Sequence, residues 1–264
     1  MKSLLKGTNS LRFDFWVLIA LIFGSLPFIF AFHMRPLISG IFFFVVPTVY
    51  LCIRQPKPWK RILAGTAFIG VCLGLLFNII VSANRGWDEV SSQLVFNYRL
   101  FGFWPVDEPV WFILWALFVF VFYEHFFDRE SKGRISKRFL YFFIPTLFVF
   151  VGVLLTFWLN NQALRFGYAY FFSAIPIFFP LVYVLRKDPN LFMKFFKTSA
   201  FFFMLYLLYE ITAMKLGSWY FPGQYIGWVE LMGIRFPLEE LIFWMSVSTF
   251  GVLSLYEFSV DDEK

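Results

Sequence analysis

The sequence predicts an all-α integral membrane protein of about eight transmembrane helices, arranged as two parallel four-helix repeats. Three observations predict it. Of the 264 residues, 60% are hydrophobic and only 15% charged, whereas a soluble domain is typically about a quarter charged. A core of this length could not hide that much apolar surface. The apolar residues form long continuous runs rather than alternating, which fits membrane helices better than the strands of a barrel. Several distinctive residues also recur at a spacing of 132, as an internal duplication would leave them.

A span needs about 20 apolar residues. Candidate runs lie near 15–32, 37–53, 61–82, 109–127, 139–159, 167–185, 195–215 and 237–256. The first follows Lys2, Lys6 and Arg12 and resembles the start of a signal peptide. Its length and the lack of a small-residue cleavage site make it a retained first helix. The run at 37–53 is short, so seven spans would also fit. Lys and Arg set the orientation. The N-terminal tail, the loops Arg54-Lys57-Lys60-Arg61 and Arg129-Lys132-Arg134-Lys137-Arg138, the group Arg186, Lys187, Lys194, Lys197 and the terminal Lys264 place 17 cations on one side. Arg35, Arg85, Arg99, Arg165, Lys215 and Arg235 leave 6 on the other. Both termini are therefore expected in the cytoplasm of a multi-pass cell-membrane protein. The basic excess is membrane topology, and no nucleic-acid partner is expected.

The duplication pairs Arg54 with Arg186, Trp87 with Trp219, Pro105 with Pro237 and Glu108 with Glu240. Asn78 of "LFNII" falls opposite Glu210 of "LYEIT", and "YEHFFD" from Tyr123 matches "YEFSVD" from Tyr256 with a slip of one residue. The expected repeats are 1–132 and 133–264, joined through "DRESKGRISKR" at 128–138. An even number of helices in each half makes the halves run the same way, about an axis along the membrane normal.

Two acidic pairs stand out. Asp107 and Glu108 follow Pro105 in "WPVDEPVWFI", and Glu239 and Glu240 follow Pro237 in "FPLEELIFWM". A proline and acids in the first turn suit any helix start, so the pairs could be interfacial caps alone. Their other reading is chemical. Ionisable groups at the edge of the hydrocarbon are costly and usually face the bundle interior. Two neighbouring carboxylates in a dry site do not both ionise cheaply, while the helix N-terminus favours the charged form; where burial wins, a general acid stands beside a general base. Trp87, Trp104, Trp111 and Phe112 gather around the first pair, and Trp219, Tyr220, Phe221, Trp228, Phe243 and Trp244 around the second. Their ring faces could stabilise a cation, although interfacial aromatics are common in membrane bundles. Glu210, deep in the seventh run, is a functional candidate by depth, or a partner for Lys215. The acids Glu124, Asp128, Glu257 and Asp261 lie at the expected cytoplasmic helix ends and are expected to be solvated. Cys52 and Cys72 lie in apolar runs, and His33 and His125 belong to no ligand pattern. No metal is expected.

The order "YEITAMKLGSWYF … GIRFPLEELIFW" resembles the lycopene cyclase domain family, both its small heterodimeric bacterial type and its fused archaeal and fungal relatives. The family pattern is a membrane acid, then Gly-x-Trp-x-Phe, then Pro-x-Glu-Glu followed by aromatics. Here these fall on Glu210, on Gly217, Trp219 and Phe221, and on Pro237, Glu239 and Glu240 with Phe243 and Trp244. The resemblance spans both halves, as in the fused form. It implies isomerisation of the linear ends of lycopene into β-rings. Its implied partners are a hydrophobic carotenoid and membrane lipid. It implies Glu239 and Glu240 as the acid/base centre, Glu210 in support, Asp107 and Glu108 as a second pair, and Trp219, Phe221, Phe243, Trp244, Trp87 and Trp111 against the substrate. Which member of a pair is acid and which base stays open.

The first half departs from the pattern. It has Asp107 for the first Glu, Asn78 opposite Glu210, and Pro109 after Glu108. A residue before proline is disfavoured in helix, so the fourth helix is expected to start at Pro109. The Gly-x-Gly-x-x-Gly turn of a flavin domain is missing, as is an aspartate-rich diphosphate motif. No cofactor is predicted. A carotenoid end-group hydratase, or a small transporter, are the alternatives.

Overall fold

In hydrocarbon a continuous apolar segment satisfies its own backbone only as a helix. The computed structural model describes residues 8–96, 98–100, 104–128 and 134–260. Among these, eight helices are long and apolar enough to cross a membrane. They are α1 (Thr8–Ala31), α2 (Pro36–Arg54), α3 (Trp59–Ala83), α4 (Asp107–Phe126), α5 (Phe139–Leu164), α6 (Ala169–Lys187), α7 (Leu191–Lys215) and α8 (Glu240–Val260). The short second run is thus a helix of 19 residues, long and apolar enough for a span. Helix α4 is the centre of the bundle: Phe112, Trp115, Ala116 and every residue from Phe118 to Tyr123 are buried. Helix α5 has no fully buried residue; Phe139, Phe143 and Phe150 pack on the core, while Tyr141, Phe148 and Leu159 are exposed.

The connections after α1, α2, α5 and α6 are short. Those after α3 and α7 are long and lie at one end of the bundle. They meet through β1 (Asp88–Glu89) and β4 (Trp219–Tyr220), an antiparallel pair with Asp88 opposite Tyr220 and Glu89 opposite Trp219. Within the first loop β2 (Arg99–Leu100) pairs with β3 (Trp104–Pro105). Within the second, β5 (Trp228–Leu231) pairs with β6 (Ile234–Pro237). Met232 (φ 53°) and Gly233 (φ 76°) form the β5–β6 turn. Positive φ at both central residues matches the right-handed twist of the strands.

Helix α3 packs against α4 through a glycine stripe. A Cβ on Gly70 would lie 2.7 Å from the Ala116 Cβ, and one on Gly74 2.8 Å from the Phe112 ring. A Cβ on Gly65 would lie 2.7 Å from the Tyr256 ring. The helix widens to i→i+5 bonding over Thr66–Leu73, so a step of five and then four residues keeps all three glycines on one face. Small residues at such seams let helix backbones approach without a hydrophobic driving force. Gly70→Ala is expected to cost about 1–3 kcal/mol by overpacking and to lower the thermal midpoint in detergent. Gly152→Ala, where nothing lies within 4 Å, should leave it unchanged or slightly raised.

Two expectations fail here. Helix α4 starts at Asp107 rather than Pro109. Proline is tolerated in a first turn, whose N–H groups have no intrahelical partner, and Asp107 takes up loop donors instead: Val95 N and Phe96 N, at 2.7 and 2.9 Å. The acids at the far end are not solvated either. Glu124 and Glu257 are buried, and Asp128 accepts from Arg61. Arg61 belongs to α3, is fully buried, and donates to Glu124 through Nε (2.8 Å) and Nη2 (2.5 Å). Buried charges persist when paired and hydrogen-bonded. Tyr256 donates to Glu124 at 2.5 Å, and Tyr123 donates to Glu257. Beside them Lys57 donates to His125 Nδ1 (2.8 Å), leaving Nε2–H for Asp14 (2.9 Å), which also holds Arg54 (2.6 Å). Asp261 and residues 129–133 of the 128–138 linker lie outside the described residues.

Candidate functional site

At the end carrying the long loops, the bundle opens into a cavity of about 110 Å³. Helix α3 contributes Phe77 and Asn78, α4 contributes Glu108, Trp111 and Phe112, and α7 contributes Tyr209 and Glu210. Trp244 and Glu240 enter from α8, Tyr170 from α6, and Trp87, Glu89, Trp219 and Phe221 from the loops. The walls are mostly aromatic. Trp244 lies 5.6 Å from Trp111 and 6.0 Å from Phe112 between ring centroids, and stacks on Phe77 at 6.3 Å. Tyr209 packs on Trp111 (5.9 Å) and Trp219 (5.6 Å), and Trp87 on Tyr170 (5.8 Å).

The two acidic pairs are placed differently. Consecutive helical residues point about 100° apart; Asp107 and Glu108 both border the cavity, whereas of Glu239 and Glu240 only Glu240 does. Asp107 turns its oxygens to the loop N–H groups of Val95 and Phe96. Glu239 is fully buried, accepts Ile226 N at 2.6 Å and does not line the cavity. These two carboxylates pin the long loops. The second members face inward: Glu108 accepts Trp104 Nε1 (3.1 Å), and Glu240 accepts the Tyr170 hydroxyl. Glu210, also in the wall, accepts Trp219 Nε1 at 2.9 Å. Its partner is Trp219 and not Lys215, which is exposed.

Carboxyl groups from both halves of the chain meet at one cavity: Glu89, Asp107 and Glu108 from the first, Glu210 and Glu240 from the second. Of the aromatics singled out in the sequence, Trp87, Trp111, Phe112, Trp219, Phe221 and Trp244 line it. Phe243 does not. It packs outward on Phe171 (5.5 Å) and Phe178 (6.1 Å), because the residue before Trp244 points to another side of the helix. Trp228 is exposed and stacks on Arg235.

Sequence reasoning missed Glu89, Tyr170 and Tyr209. Glu89 falls opposite Phe221 at the 132 spacing, and that exchange was its available signal. Tyr170 falls opposite Ile38 and carried none. Glu89 is half-buried; burial and the adjoining Glu108 carboxyl raise its pKa well above the usual carboxylate range. Two donors in the wall, Asn78 Nδ2 and Trp111 Nε1, are buried and make no hydrogen bond of good geometry. Among the described residues, no group of His, Cys, Asp and Glu is placed to hold a metal ion, and Cys52 and Cys72 are free thiols.

No protein-family model matches the chain, and neither a curated protein nor a solved structure matches it.

Proposed function

We propose that the protein is a lycopene β-cyclase-like isomerase, built from two parallel four-helix repeats, 1–132 and 133–264, with both termini in the cytoplasm. The observation that carries this reading is the single aromatic cavity faced by Glu108, Glu210 and Glu240. The repeat is supported by reciprocal contacts. Asp88 pairs with Tyr220, 132 residues on, and the Tyr123–Glu257 bond is answered by Tyr256–Glu124. A pseudo-two-fold axis between the halves would generate both. The long loops and the cavity then lie on the non-cytoplasmic side.

Cyclisation requires little more than this site offers. A carboxylic acid gives its proton to the terminal double bond, whose electron pair forms the new C–H bond. The tertiary cation is captured by a second double bond, closing the ring. A carboxylate then takes a ring proton, and that C–H pair becomes the ring double bond. Atoms and electrons balance with no oxidant or reductant. Neighbouring carboxyls in a water-poor site do not all ionise, so one cavity supplies both acid and base. The indole and phenol faces stabilise the cation by roughly 2 kcal/mol or more each when desolvated. The far end of the bundle is filled by Phe118 to Tyr123 and by the Arg61–Glu124 contacts, which disfavours a transport path.

Expression in bacteria that accumulate lycopene tests the reading. β-Carotene or monocyclic γ-carotene is the expected product on chromatography. Unchanged lycopene with the protein present in the membrane overturns it, and a hydroxylated end group selects the hydratase instead.

A further inference from the structure

Glu89 is the one carboxyl of the cavity wall that lies outside the helices and is only half-buried. Asp107, Glu108, Glu210 and Glu240 are all buried. On one side, Glu89 comes within hydrogen-bonding reach of Glu108. On the other, its strand partner is Trp219, whose indole N–H is bonded to Glu210. It stands between the carboxyl groups of the two halves and is the least buried of the five.

A second observation comes from the neighbouring amide. Asn78 is fully buried in the same wall beside the Glu108 carboxyl, and its Nδ2 makes no hydrogen bond of good geometry. An unpaired amide there costs roughly 1–3 kcal/mol, and it fits a site that takes an acceptor, a water or a shifting carboxylate oxygen, during part of a cycle. The 132-residue correspondence points the same way. Where the second half has Glu210 and Phe221, the first has Asn78 and Glu89. The first half has moved its second carboxyl from mid-helix to the rim.

We propose that Glu89 is the proton-exchange residue of the cavity, passing protons between bulk water and the buried carboxyls through Glu108. This goes beyond the cyclase reading, and for its bearing on turnover it rests on that reading. Each cyclisation leaves the acid ionised and the base protonated. Before the next substrate, the acid must regain a proton and the base must lose one. Glu89 takes the proton from one carboxyl, or from water, and returns one to the other, with no net change.

The test has two arms. In lipid nanodiscs, infrared spectra after transfer from H2O to D2O report exchange of protonated carboxyl groups whether or not the protein cyclises anything. Glu89→Gln is expected to slow that exchange at least about tenfold, whereas Glu89→Asp keeps most of it. Glu230→Gln, exposed on the same side of the bundle, should not alter it. Exchange in Glu89→Gln as fast as in the wild type overturns the proposal, even if lycopene is cyclised. In the second arm, Glu89→Gln lowers steady-state cyclisation about 100-fold, with less deuterium entering the product from D2O. If the wild type leaves lycopene unchanged, the cyclase reading fails while the exchange arm still decides the role of Glu89.

Discussion

Glu240→Gln is expected to lower cyclisation by about 100- to 10,000-fold, the usual worth of a positioned general acid or base, without unfolding the protein. Glutamine has nearly the same shape, and its amide oxygen can still accept the Tyr170 hydroxyl that Glu240 accepts. What it cannot do is give or take a proton. Glu239→Gln is the internal control. Glu239 does not line the cavity, and its oxygen accepts Ile226 N at 2.6 Å, a bond the amide oxygen of glutamine also makes. Its turnover should therefore fall less than about tenfold. Pigment extracted from membranes with matched protein levels, separated by chromatography, gives both rates. Wild-type turnover in Glu240→Gln removes the cavity from the reaction. Equal, severe losses in both variants would mean that loop position, and not proton transfer, limits the rate.

The contrast between these neighbours also marks where the sequence stopped being informative. Continuous apolar runs are a property of the chain itself, so the eight helices were legible in it, including the short second one. The acidic pairs were legible as positions after a proline. Their division of labour was not, because it depends on which way each residue points once the helix start is fixed. The start of α4 at Asp107 came from a loop that folds back to supply Val95 N and Phe96 N, a non-local contact. Phe243 and Trp244 look equivalent in sequence, and only the α8 face separates them. The carboxylates Glu124 and Glu257 looked like wet helix ends because their partners, Arg61, Tyr256 and Tyr123, sit on other helices or at the opposite end of the chain. Tyr170 reaches Glu240 from a helix whose counterpart in the other half carries Ile38. A comparison at the 132-residue spacing finds positions that match and passes over those, such as Tyr170, that do not.

The Arg61 contacts carry the largest expected effect on stability. Arg61 is fully buried. It donates twice to Glu124, at 2.8 and 2.5 Å, reaches Asp128 and lies 5.6 Å from the Tyr256 ring centroid. Arg61→Met keeps most of the apolar stem but leaves Glu124 beside Asp128 with that counter-charge gone. Breaking a buried pair from one side costs about 3–5 kcal/mol, because a desolvated charge is stranded. Thermal unfolding in detergent, followed by tryptophan fluorescence, should show a fall of several degrees that added salt barely changes, since buried pairs are weakly screened. Replacing both partners, Arg61→Met with Glu124→Leu, should recover much of the loss, because the stranded charge is then gone. Tyr256 donates to Glu124 from the second half, and Tyr123 reaches back to Glu257. The single substitution therefore loosens the seam between halves at the end opposite the cavity. A midpoint unchanged in Arg61→Met would show that the far-end charges are hydrated in solution and that the two halves are held by aromatic packing alone.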